Sequence, residues 1–456
     1  YKIAGIFLTL IIFSVILLGN SYSQTAGRFW SGTVEGDFIV KGERRIIPDE
    51  YKTARLDLAG ITGFLKSAPL ERTERALTSP VVLELPLPDG SMASFYVEKY
   101  SMMEEPLAKQ YPDIITLTVK GIDDPYATGK LDVTAHGFHG MILSPRGNFF
   151  IDPYSSLEKE VYITYYKSKY RAKKNFECFV NEVALPDNAV TEVDATGEQL
   201  RTYRLANAAT GEYTAFHGGT VALGLAAIVT TINRVNGVYE KDVSVRMTLV
   251  ANNSSIVYTN SGTDPYTNNN GSTMLGQNQT NCDAVIGTAN YDIGHVFSTG
   301  GGGVAGLGVV CVAGNKARGV TGSGSPIGDP FDIDYVAHEM GHQYRGNHTF
   351  NGTAGSCAGG NRNATTAWEP GSASTIMGYA GICGAHDLQP NSDDLFHTGS
   401  ISEIAAYTQT GGGNSCPVIT NTGNTPPSVT VPAGGFTIPI NTPFQLTGSA
   451  TDVNNP

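Results

Sequence analysis

The chain has 456 residues, enough for about three domains. Only 16% of them are charged and 41% are hydrophobic, with 54 glycines, a low-charge balance that suits an extracellular protein with full globular cores. The formal net charge of −12 argues against nucleic acid or an anionic membrane as a partner.

Residues 1–23 read as a secretory signal. Lys2 gives a basic start, 3–18 an apolar core short for a membrane span, and Ser21 and Ser23 offer small residues before cleavage at Gln24. Cleavage outweighs retention as an anchor. The expected location is therefore secreted or extracellular, with no membrane contact after cleavage; attachment to the cell surface through sequence beyond Pro456 is a further expectation.

Residues 24–197 read as a mostly β domain. Segments 81–85, 94–98 and 114–119 have strand composition, and Gly, Asp and Pro turns separate them. His136 and His139 sit three apart and invite a metal reading. No cysteine or carboxylate pattern accompanies them, so a turn bearing polar histidines is favoured.

The pattern changes at about residue 198. Segment 199–206 is strand-like, and 220–236 predicts a long apolar helix closed by Gly237 as a left-handed C′ residue. Strands are expected at 243–250, 291–298 and 308–312, with a flexible glycine loop at 300–303. Asp332 and Asp334 precede the next helix, where complementing its N-terminus is favoured over binding a metal. This order predicts an α/β (α+β) sandwich with a twisted mixed sheet.

That next helix carries His338, Glu339, His342 and, six residues on, His348. Residues four apart share a helix face, so His338 and His342 can aim at one point. Gly346 lets the chain turn back and bring His348 there. Three imidazoles with one open position describe a catalytic zinc site, and Glu339 stands beside it as a base. Farther on, Ser400 and Glu403 read as the capping box of a C-terminal helix. Residues 417–428 have linker composition, and 429–456 alternate like the opening strands of an incomplete immunoglobulin-type β-sandwich.

Residues 198–416 resemble the reprolysin (adamalysin) branch of the metzincin zinc endopeptidases, in particular the secreted bacterial members. The likeness is carried by 332–343, by 346–352 and by Thr375, Ile376, Met377, Gly378 and Tyr379. It implies one catalytic Zn2+ on His338, His342 and His348, with Glu339 as general base, and Met377 beneath the metal in a Met-turn. Tyr379 occupies the position of the zinc-switch tyrosine of astacins and serralysins; a packed aromatic is an equal alternative. Arg345 departs from the family, which carries glycine there.

The expected function is thus a secreted zinc metalloendopeptidase made as a zymogen, acting on protein or peptide substrates, with 24–197 as pro-domain and intramolecular inhibitor. The rivals are a catalytically inactive adhesion or binding protein that kept the fold, and a zinc hydrolase of non-peptide substrates. A structural Ca2+ is a second cofactor candidate, although no EF-hand loop or nonapeptide calcium repeat occurs. Cys178 raises a cysteine switch, against a buried or disulfide cysteine; Lys173 and Lys174 are a weak processing site. Among the six cysteines, Cys357 and Cys383 would staple the stretch before the Met-turn if paired, and Cys282 with Cys311 is another candidate pair; connectivity does not follow from sequence.

Overall fold

The structure, a computed structural model, describes residues 29–171 and 196–454, with the backbone alone for 178–181. The signal segment, Lys173, Lys174 and the thiol of Cys178 lie outside the described residues.

Nine strands build the N-terminal sheet: β1 (Trp30–Gly32), β2 (Lys52–Leu56), β3 (Val81–Pro86), β4 (Met92–Lys99), β5 (Ile115–Gly121), β6 (Thr128–Thr134), β7 (Gly137–Leu143), β8 (Phe149–Pro153) and β9 (Val161–Tyr166). They are antiparallel in the order β1-β2-β9-β8-β7-β6-β5-β4-β3, a meander closed by the first two strands. Both faces are covered. Leu131, Ile142 and Ile151 pack with Ile61 and Leu65 of helix α1 (Leu58–Lys66), whereas Met141, Phe150 and Ile163 belong to the core of the following region. Burial on both faces explains why β7 is buried at every position instead of alternating. Short helix α2 (Glu74–Thr78) precedes the meander, and α3 (Glu105–Gln110) interrupts it between β4 and β5.

The second sheet is mixed. It contains β10 (Cys178–Asn181), β11 (Gln199–Ala209), β12 (Val245–Leu249), β13 (Ile293–Ser298), β14 (Gly303–Gly306) and β15 (Gly319–Gly322), in the order β10-β14-β15-β13-β11-β12. Strand β16 (Val418–Asn421) pairs antiparallel with β11. The α6 helix (Gly271–Asn281) packs on one face through Met274 and Leu275, against Val296 and Val320. On the other face, after the short α4 (Gly211–Phe216), lies α5 (Val221–Val243), wedged between the two sheets. Beyond β16, β17 (Ser428–Thr430) and β18 (Ser449–Thr451) form one exposed antiparallel ladder.

Helix α5 runs past the expected end at Gly237 and closes at Ser244, itself left-handed at φ 54°. Gly237 serves another purpose: a Cβ there would come 3.2 Å from Cγ of Lys130 on β6, so glycine lets helix and N-terminal sheet approach. Buried charge also crosses this seam. Arg234 of α5 bridges Asp152 of β8 at 2.5 Å and Asp332 at 3.0 Å, and Lys167 pairs with Asp329 at 3.0 Å and with Asp394. Asp332 is therefore an ion-pair partner within the first turns of its helix, and Asp334 accepts the Ser392 amide at 3.0 Å.

Three consecutive helical segments lead to the motif: α7 (Asp329–Phe331), a π-helical stretch at Asp332–Ala337, and α8 (His338–Gln343). The expected strand at 308–312 is a turn. It leaves the sheet to cap α8, its Gly308 and Val309 amides donating to the carbonyls of His342 and Gln343 at 2.8 and 3.0 Å. Helix α9 (Thr398–Gln409) is capped by His397, which accepts from Gly399, and not by Ser400 and Glu403. Cys357 pairs with Cys383, and Cys311 pairs with Cys416, so the candidate Cys282–Cys311 bridge is replaced; Cys282 is a buried free thiol. Cys282 lies on the α6 side of the sheet and Cys311 on the side facing α9, where its sulfur meets Gly413.

Candidate metal centre

Helical spacing puts His338 and His342 one turn apart on one face of α8, a helix buried at every position. The helix then ends in a Schellman turn: the Arg345 amide donates to the His342 carbonyl and the Gly346 amide to the Gly341 carbonyl, both at 2.8 Å. Arg345 takes the left-handed position itself, at φ 78°, although Gly346 follows it. That costs about 1–2 kcal/mol for an L-residue. Burial raises the Glu403 carboxyl above its ordinary range, while its bonds from Asn347 and, less, the nearby Arg345 charge favour the ionised form. The turn swings His348 back over the helix.

The three imidazoles converge. Their Nε2 atoms lie 3.1 Å apart for His338 and His342, 3.1 Å for His342 and His348, and 3.3 Å for His338 and His348. Each Nδ1 meets a main-chain carbonyl: His338 that of Ile376 at 2.6 Å, His342 that of Gly346 at 2.7 Å, His348 that of Asn361 at 2.7 Å. A carbonyl only accepts, so each Nδ1 carries the hydrogen and each Nε2 presents a lone pair. Burial and the neighbouring rings hold His342 well below the usual histidine range, and burial first, then His338, pushes His348 down to about 3, so these two rings are neutral. Tetrahedral ligands about 2.0–2.1 Å from zinc stand about 3.3 Å from one another. The donor set and its spacing fit a divalent cation of this kind.

Neighbouring groups hold the three histidines from several sides. Gln343, next to His342, donates to the Gly294 carbonyl at 2.9 Å and accepts from His295 at 2.8 Å, pinning α8 to β13. Met377 lies directly under the helix: a Cβ on Gly341 would fall 2.4 Å from its sulfur. The Tyr379 ring packs 4.7 Å from that of His348 and 4.4 Å from that of Phe350. The Cys357–Cys383 bridge ties the loop that supplies the Asn361 carbonyl to the segment after Tyr379. Glu339 is fully buried one residue from His338.

The structure thus brings together His338, Glu339, His342, His348, Met377 and Tyr379, all singled out by sequence. His136 and His139 lie apart from them, His136 in the turn after β6 as expected but His139 within strand β7, bonded to the Leu223 carbonyl and to Asp132. Sequence reasoning missed the carbonyls of Ile376, Gly346 and Asn361, which have no side-chain signature. It also gave Glu403 the wrong task, since that carboxylate turns to Asn347. Among the described residues these three histidines are the cluster of His, Cys, Asp or Glu able to hold a metal ion.

Residues 199–408 match the family model described as Metallo-peptidase family M12B Reprolysin-like. Among solved structures, the crystal structure of metalloproteinase-II from Bacteroides fragilis matches at 12% identity and a TM-score of 0.42, over 75% of this chain and 97% of that one. No curated protein matches the chain.

Proposed function

We infer that this chain, whose residues 199–408 belong to the reprolysin-like M12B metallopeptidases, is a secreted zinc endopeptidase held as a zymogen. One observation carries the reading: three Nε2 atoms 3.1–3.3 Å apart, with every Nδ1 committed to a carbonyl. All-imidazole donors with room for a further ligand suit zinc in its catalytic arrangement. When bound, zinc supplies Lewis acidity to a water and to the substrate carbonyl.

The chain's own residues do the rest. His338, His342 and His348 bind and orient the ion. The Glu339 carboxylate takes the proton from the attacking water and delivers it to the departing amine. Met377 supports α8 from below, and in this reading the Tyr379 phenol donates to the developing charge. An intact base beside an intact donor set argues against an inactive binding protein.

Latency has its own support. Strand β10 runs parallel to β14, the sheet edge nearest α8, with Cys178–Asn181 opposite Gly303–Gly306. A sheet edge is where an extended peptide adds its main chain. Residues 178–181 occupy that edge, so the chain preceding β11 must leave before substrate can use it. Two disulfides suit an oxidising, extracellular setting.

The test is metal content and casein cleavage after removal of the N-terminal region. Glu339→Gln is expected to bind one zinc and to lose about 10²–10⁴-fold in turnover. Undiminished cleavage by that variant would refute the base; a wild-type chain without zinc would refute the centre.

A further inference from the structure

We propose that Glu403 of α9 is a positioning residue for the metal centre, acting on His342 through the single peptide group that joins Gly346 to Asn347. The proposal rests on the metal-centre reading above. One end of that peptide, the Gly346 carbonyl, accepts from His342 Nδ1 at 2.7 Å. The other end, the Asn347 N–H, donates to Glu403 Oε2 at 2.9 Å. The chain of contacts is imidazole, peptide, carboxylate.

Its chemistry follows from amide resonance. A carboxylate pulling on the N–H shifts density toward the carbonyl oxygen, because the C–N bond has partial double-bond character. A more basic carbonyl binds the Nδ1 hydrogen more strongly, and hydrogen bonds in series reinforce one another. The Nε2 lone pair of His342 becomes the better donor. Carboxylates bonded directly to ligating histidines raise ligand basicity in the same sense; here a peptide is interposed. The second oxygen, Oε1, accepts from Asn347 Nδ2 at 2.7 Å and squares the carboxylate on the residue just before His348. Asn363 closes the arrangement from the far side by donating to Asn347 Oδ1 at 3.1 Å. The same carboxylate therefore orders the turn in which Arg345 is strained.

The test uses the intact chain, with zinc affinity measured by chelator competition and the visible spectrum recorded with cobalt in place of zinc. Glu403→Gln keeps the shape and an accepting oxygen but removes the charge. It is expected to weaken zinc binding about 10–100-fold and to shift the cobalt bands, with little change in unfolding of the metal-free protein. Asn347→Ala keeps the main-chain N–H and loses only the side-chain contact, so its affinity should stay near wild type. Equal affinity and spectrum for Glu403→Gln and wild type overturn the proposal, as does an equal loss in Asn347→Ala. If Glu403→Gln fails to fold, Glu403→Asp, with the charge withdrawn by one methylene, must shift the cobalt spectrum; an unchanged spectrum overturns the proposal. A wild-type chain that binds neither metal sinks the metal centre itself, whereas a binding wild type with a silent Glu403→Gln sinks only the role of Glu403.

Discussion

Two groups of largely buried histidines can be set side by side, one centred on α8 and one on the seam between the sheets. In the second, the His136 and His217 rings lie 5.8 Å apart and His139 is nearby on the same strand as Phe138. Burial favours the neutral ring at His136 and His217 as it does at His342 and His348: His136 is pushed down to about 4 and His217 to about 3, as His348 is. Neutrality therefore does not separate a metal site from a packed cluster. Direction does. His136 and His217 spend Nε2 on the carbonyls of Leu223 and Pro326, at 2.9 and 3.1 Å, and these acceptors draw the nitrogens to different places. On α8 every carbonyl contact is made by Nδ1, and the Nε2 atoms are left facing one another.

The largest expected effect tests that contrast directly. His342→Ala removes a donor and should lower zinc affinity by more than the roughly 10–100-fold typical of changes one shell out. His136→Gln should leave stoichiometric zinc in place, as read by metal analysis of the purified chain. Zinc lost from His136→Gln, or kept at full affinity by His342→Ala, would break the distinction between the groups.

How much of this was legible in sequence follows from the range over which each interaction acts. The spacing of His338 and His342 is helical geometry, and the third histidine needs only a turn, so the donors could be read directly. The turn chemistry was half legible. A glycine at 346 pointed to a reversal, yet Arg345 takes the left-handed residue's place, because the Schellman bonds from 345 and 346 fix the register. Segment 308–312 looked like a strand because it is apolar, but its amides are needed at the end of α8. Gly237 looked like a helix stop because its role, close approach to Lys130, involves residues more than a hundred positions away. Glu403 sits 56 residues from its partner, and a local capping box was the nearest explanation in sequence.

A smaller effect should appear in the pH dependence of stability. His136 has a folded-state pKa of about 4 against an ordinary value of 6.5, so between those values the unfolded chain binds the proton and the folded chain does not. Stability is then fully present above about pH 6.5 and falls as the pH drops toward 4, on the order of 3 kcal/mol for this one group. Urea midpoints at pH 7 and pH 4.5 should fall less far apart in His136→Gln than in wild type, which removes the contribution of carboxylates common to both. Identical spacing would show that the seam histidine is as free to protonate as an exposed one.

The smallest effect concerns the height of α8 above the Met-turn. Gly341 rests on Met377, and a Cβ would meet its sulfur at 2.4 Å and its methyl carbon at 3.2 Å. Met377 is fully buried in the same core as Phe396 and Ala373, so a Cβ on Gly341 is expected to push helix and turn apart. Overpacking of this kind costs about 1–3 kcal/mol. The turn also carries the Ile376 carbonyl that fixes His338 at 2.6 Å, so parting the two elements stretches the contact that aims one donor. Gly341→Ala should lower both the urea midpoint and zinc affinity, and Met377→Ala added to it should restore the affinity by vacating the space. If the double variant binds zinc no better than Gly341→Ala, the methionine does not set the helix height, and the aim of His338 depends on something other than the turn beneath it.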